Sequence, residues 1–175
     1  MMAKVILGYR LSASYGFFNE PGGWSFTIYR KGTVRFRYYL FDGSLIKSIR
    51  AEIPLSAADD LYHTLEKQKK RIDALPSETY NHSCDGDFNI FNFLGKKTSS
   101  LNIEKTPENF IQEAVTHGIE EETLLAENEI LTIFESVCPI LEPYGLHVTF
   151  EPSFWCRWDG YEDYRKICED YRVNT

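Results

Sequence analysis

Two rhythms divide the chain. Up to residue 53 the apolar side chains fall on alternate positions: Trp24, Phe26 and Ile28 alternate with Ser25, Thr27 and Tyr29, and Val34, Phe36, Tyr38 and Leu40 alternate with Thr33, Arg35, Arg37 and Tyr39. A period of two belongs to a strand with one buried face. Arg30-Lys31-Gly32 is a short glycine-containing turn, so these two runs form a hairpin. Asp42-Gly43-Ser44 is a second turn, followed by a strand from Ile46 to Ile53 with Ile49, Ala51 and Ile53 on one face. With a leading strand from Lys4 to Leu11 the segment predicts an antiparallel meander.

From Leu55 the period becomes helical. Ser56 is a natural N-cap and Asp59 then sits at the third helical position, favoured near a helix N-terminus. Leu61, Leu65, Gln68, Ile72 and Leu75 recur at helical spacing, Lys67, Lys69, Lys70 and Arg71 mark the outer face, and Pro76 is the stop. Between Asp87 and Leu94, Phe88 and Ile90 share one parity while Phe91 and Phe93 share the other, which predicts a strand buried on both faces or broken by a bulge. Gly95-Lys96 turns into a partner strand ending near Ile103.

Thr106-Pro107 opens a short helix whose apolar face is Phe110, Ile111, Ala114 and Val115, closed by Gly118. A longer helix begins near Glu120, its stripe continuing through Leu124, Leu131, Phe134, Cys138 and Leu141 until Pro143 and Gly145 end it. Leu146 to Phe150 reads as a last strand and Tyr161 to Tyr171 as a terminal helix. The predicted class is α+β: a mostly antiparallel sheet of six to seven strands with about four helices packed on it, because strands and helices come in runs. Nothing in the pattern requires parallel pairing. No repeat or linker divides the chain, so residues 1–175 are expected to form one domain, with the aromatic, acidic segment 152–175 packed on it.

Composition supports a large core. With 175 residues, 43% of them hydrophobic and including 12 Phe and 11 Tyr, the chain has the apolar area to fold without a disulfide or metal. The run Val5-Ile6-Leu7 is closed by Arg10 and is too short for a secretory signal, and no stretch approaches the roughly 20 apolar residues of a membrane helix. These features predict a soluble cytoplasmic protein. Cys84, Cys138, Cys156 and Cys168 show no C-x-x-C spacing and read as free thiols.

Charge adds what periodicity does not. The total is −7, but residues 1–75 carry 12 Lys and Arg against 7 Asp and Glu, a balance of +5, whereas residues 76–175 carry 7 against 19, a balance of −12. Glu120, Glu121, Glu122, Glu127, Glu129, Glu135 and Glu142 gather around the longer helix, and the tail joins carboxylates to Trp155, Trp158, Asp159 and Tyr161. A charge run is ordinarily a solvated helix face, and the tryptophans could simply pin the tail into the core. Joined to aromatic anchors, however, an acidic surface is suited to a basic protein. The leading expectation is therefore a non-enzymatic inhibitor, immunity protein or nucleic-acid mimic. It would engage a basic partner, such as a nucleic-acid-binding protein, through Glu120, Glu121, Glu122, Glu127, Trp155, Trp158, Asp159 and Tyr161.

The alternative is an enzyme centred on Asn81 to Asp87, where His82, Cys84, Asp85 and Asp87 place a base, a nucleophile and two carboxylates in one loop. Neighbouring carboxylates disfavour a thiolate, and adjacent residues of an extended loop point apart. Asp85-x-Asp87-x-Asn89 starts like a calcium loop, but Ile90 and Lys96 stand where such a loop needs glycine and glutamate. His63, His82, His117 and His147 are too scattered for zinc. Pro21-Gly22-Gly23 lacks the context of a phosphate loop, and no Gly-x-Ser-x-Gly elbow exists. No cofactor is expected. Arg30, Lys31, Arg35 and Arg37 lie near Tyr29, Tyr38 and Tyr39, the composition of an RNA-binding sheet, but the acidic total argues against direct nucleic-acid contact. Self-association through an exposed strand edge is a third possibility.

Overall fold

The computed structural model describes residues 4–13, 20–79, 86–150, 154–160, 166–167 and 169–170. The alternating runs become β1 (Val5–Ser12), β2 (Pro21–Tyr29), β3 (Thr33–Leu40) and β4 (Leu45–Glu52). Helices α1 (Leu55–Lys67) and α2 (Lys69–Ala74) lead to the two-residue β5 (Glu78–Thr79), and β6 (Phe88–Phe93) and β7 (Lys96–Leu101) form the second hairpin. Then come α3 (Glu108–Thr116), α4 (Glu121–Glu135), the one-turn α5 (Cys138–Leu141), β8 (Leu146–Thr149) and β9 (Trp155–Trp158).

The seven-stranded sheet has the order β4-β3-β2-β1-β6-β7-β5. Its pairings are antiparallel except at one edge, where Glu78 and Thr79 run parallel to Ser99 and Ser100. There the expectation that no pair need be parallel is overturned, because the direction of β5 is set by the chain leaving α2 and not by a hairpin turn. The fold is α+β, with strands β8 and β9 in a separate two-stranded sheet. Strand β9 runs through the aromatic tail, where no strand was predicted.

One parity of the large sheet supplies the core. Leu7, Tyr9 and Leu11 stand beside Ile28, Phe26 and Trp24 on one side and Phe93, Phe91 and Asn89 on the other. Tyr9 lies at the centre, its ring 5.4 Å from Trp24 and 5.3 Å from both Phe91 and Phe154. Strand β6 is neither bulged nor buried on both faces: its register with β1 and β7 is regular, Asn89, Phe91 and Phe93 point inward, and Phe88 is 37% exposed. A polar residue takes the core parity because Asn89 Oδ1 accepts the Tyr9 hydroxyl proton at 2.8 Å and Asn89 Nδ2 donates to the Asp87 carbonyl at 3.0 Å.

The helices close the core from that same side. Helix α1 begins at Leu55 behind Pro54, so Ser56 lies inside the helix and caps nothing, while Asp59 pairs with Arg30 of the β2–β3 turn. The predicted single helix is interrupted at Gln68, whose side chain donates to Ser136 Oγ at 2.8 Å, yet Leu61, Leu65, Ile72 and Leu75 all remain buried. The long helix likewise stops at Glu135, with Pro139 in the first turn of α5, since proline cannot donate to a continuing ladder. Leu124, Leu131, Phe134 and Leu141 hold their core positions. Helix α3 contributes only Ile111 to the buried set, and Phe110, predicted to share its apolar face, is 51% exposed. Gly118, at φ +91°, ends α3 with its N–H on the Val115 carbonyl and that of Ile119 on Ala114, a Schellman closure. Residues 166–167 and 169–170 are helical, as the tail pattern predicted, and Ile167 is buried. Among the described residues no helix is long and apolar enough to cross a membrane.

Candidate functional site at the acidic end of helix 4

The acidic triplet opens α4. Glu120 is its N-cap and Glu121 and Glu122 its first turn, where the exposed backbone N–H groups favour anions. All three side chains are exposed. Glu120 and Glu122 line an open depression of about 430 Å³ together with Thr123 and Ala126 of α4 and Glu78 and Thr79 of β5. Glu78, absent from the sequence-based set, is brought there only by the edge pairing of β5. One turn along the helix, Leu125 is 50% exposed, and Glu121 at i−4 and Glu122 at i−3 share its side of the helix. Further along, Glu129 is held by Arg71 through two hydrogen bonds of 2.5 and 2.8 Å. Leu125 thus sits as an apolar patch behind a carboxylate cluster.

Glu127 does not belong to this surface. It is 1% exposed and faces the sheet, where its Oε1 accepts from Ser100 Oγ at 2.6 Å and Thr79 Oγ1 at 3.3 Å, while Oε2 is buried without a partner. Burial pushes its carboxyl up to about 7, against the lowering effect of those two hydroxyls and with a further push from Glu104. The helical period explains the split: 127 falls with 123, 124, 130, 131 and 134 on the buried arc, which a count of glutamates along the sequence does not reveal.

The tail residues separate in the same way. Trp158 is 6% exposed, edge-on to Phe26 at 5.6 Å and to Phe36 at 5.4 Å, with its Nε1 donating to the Tyr144 carbonyl at 2.6 Å. It is a core residue and is withdrawn from the partner-binding set. Trp155 is half-buried, its ring edge-on to Trp24 at 6.0 Å. Asp159 is exposed, but its carboxylate accepts from His147 Nε2 at 2.7 Å and from Arg157 at 3.4 Å, and the His147 hydrogen bond holds its carboxyl below the usual range. Tyr161 lies outside the described residues.

For the alternative site, His82, Cys84 and Asp85 lie outside the described residues. Asp87 is exposed at the start of β6, with Asn102 Oδ1 accepting from its backbone N–H at 3.1 Å. Asn89 is committed to Tyr9, so Asp87 and Asn89 do not converge as cation ligands. Two of the thiols are described: Cys156 is buried and its thiol pushed well up by that burial, and Cys138 is pushed up to about 12 by burial and then by Glu135 and Glu142. Neither has the thiolate character that nucleophilic chemistry needs. Among the described residues no group of three or more His, Cys, Asp or Glu is placed to hold a metal ion.

No protein family and no curated protein sequence matches this chain. Function has to be argued from the residues themselves. What sequence reasoning missed at the acidic end is Leu125 and Glu78. The first stood at the edge of the predicted stripe beside Leu124, and only its exposure distinguishes it.

Proposed function

We propose that this chain is a non-enzymatic binding protein of the inhibitor type that holds a basic protein, such as a nucleic-acid-binding protein, against the outer face of α4. The observation that carries this reading is the half-exposed Leu125 beside the exposed Glu121 and Glu122, with Glu120 and Glu78 around the neighbouring depression. Leu125 would give up its water on association, and the carboxylates would steer a cationic surface towards it and set its orientation. Glu127 and Trp158 do not take part, and Trp155 and Asp159 are partly engaged within the fold.

Affinity capture from the native host's lysate at low and moderate salt tests it, comparing the wild-type chain with an E120K/E121K/E122K variant and with L125A. A single basic protein retained by the wild type, released by salt and lost from both variants is the expected result. Retention of the same proteins by the wild type and both variants would remove the α4 face from the interaction.

A further inference from the structure

The seven-stranded sheet has a second face. Side chains of the parity opposite to Tyr9, Phe26 and Phe36 point away from the helices, and the registers align them in rows across the strands. Lys97, Arg35 and Arg50 share one row, and Arg10 and Arg37 share the next. The floor around them is Gly8, Thr27 and Asn92 in the first row and Ser25 and Ile90 in the second. On the six strands from β4 to β7 neither row contains a carboxylate. Glu52 lies one row further, bonded to Arg50 at 2.9 Å, and Glu78 lies on the far edge strand. Arg10, Arg35, Arg37 and Lys97 have no acidic partner among the described residues.

Aromatic side chains border the cations. Tyr29 flanks the row of Arg35, while Tyr39 and Phe88 stand in the row beyond Arg10 and Arg37, with Ser12 and Gly23 between them. The Arg10 guanidinium lies over the Tyr39 ring, 4.6 Å from its centroid, and its buried Nε makes no hydrogen bond.

We infer that this open face binds single-stranded nucleic acid, with phosphates along the two cationic rows and bases against Tyr39 and Phe88. Three features favour that occupant. The rows cross five strand spacings, roughly 24 Å, a length suited to an extended polyanion. Aromatic rings beside cations accept bases of any sequence by stacking, whereas an acidic peptide would leave those rings unused and commonly docks by adding to a strand edge instead. Among the described residues no helix or ribbon stands out from the face to enter a duplex groove, which favours a single strand. The inference departs from the expectation drawn from net charge. Helix α4 packs on the other face of the sheet, through Glu127 on Ser100, and charge is screened over ~8 Å at physiological salt. It does not rest on the proposed function, although Glu78, beside the α4 depression, ends the row of Arg10 and Arg37 on the edge strand.

The test is fluorescence anisotropy of the full chain with labelled oligo(dT) and oligo(U) of about 20 nucleotides, titrated over a salt series. Expected are binding at low salt, a log–log salt slope of about −3 from four to five phosphate contacts, and at least a roughly tenfold loss in R35E/R37E with unchanged circular dichroism. Y39A should cost about five- to a hundredfold, the value of one stacked base, and E120K/E121K/E122K should not weaken binding. Three results would each overturn the inference. The first is no oligonucleotide binding at low salt, or binding indifferent to R35E/R37E. The second is equally strong, equally R35E/R37E-sensitive binding of labelled poly-glutamate, which would make the face a site for acidic protein. The third is concentration-dependent dimerisation in light scattering that R35E/R37E abolishes, which would make it a contact between copies.

Discussion

Successive residues of the same strands have opposite fates in this protein. Tyr9 and Arg10, Phe36 and Arg37, and Tyr38 and Tyr39 are sequence neighbours, yet the first of each pair is buried under the helices and the second lies on the open side of the sheet. The core face is a continuous aromatic layer in which Tyr9, Phe26, Phe91, Phe134 and Phe154 touch one another. The other face gathers cations around a mostly uncharged floor of Gly8, Ser25, Thr27, Ile90 and Asn92. Alternation fixes which residues travel together, and the position of the helices decides which set becomes core.

Truncating the two faces of one strand should expose this difference most strongly. Phe91 is fully buried against Tyr9, Phe134 and Phe154, so Phe91→Ala should cost about 3–5 kcal/mol in urea denaturation. Phe88→Ala, three residues earlier and on the open face, should cost under about 1 kcal/mol. Comparable losses at both positions would mean that the second face is also packed.

Glu127 gives the next largest effect, and one with a sign. Its folded-state carboxyl titrates at about 7 against an ordinary 4.5, so the folded chain holds a proton that the unfolded chain has already lost between those values. Its contribution is most favourable below pH 4.5, declines as pH rises towards 7, and is level above that. The decline is on the order of 3 kcal/mol. Glu127→Gln should flatten stability between pH 5 and 8 and raise it at pH 8 by about 1–2 kcal/mol, leaving pH 5 nearly unchanged. A variant as pH-dependent as the wild type would place the titration on another group.

The smallest effect belongs to the open face. Arg35→Ala and Arg37→Ala together should change stability by no more than about 0.5–1 kcal/mol, since neither side chain makes a hydrogen bond or ion pair among the described residues. A larger loss in thermal melts would show that these arginines support the sheet and are not simply held ready for a ligand.

Much of this architecture could be read from the chain. The hairpin from Trp24 to Leu40 and the strand after Asp42-Gly43 appear where alternation put them, and Gly118 and Gly145 end helical segments at positive φ. The breaks at Gln68 and before Pro139 were not legible in the apolar stripe, because that stripe records burial and continues through a change of axis. The candidate site was legible as a concentration of glutamate, but not as a surface. Arg30, grouped by composition with Arg35 and Arg37, turns out to be paired with Asp59, and Tyr38 is in the core while Tyr39 lies across the sheet with Arg10.

The sequence by itself determined the class of fold, the β2–β3 hairpin, the strand after it and the core parity of those strands, because those depend on backbone periodicity and local turn chemistry. Only the tertiary structure decided that Glu127 and Trp158 are interior, that Leu125 and Glu78 stand at the acidic end, and that five cations from four strands share one open face. Those outcomes depend on which side of the sheet the helices cover and which strand edges meet, choices made by contacts between residues far apart in the chain.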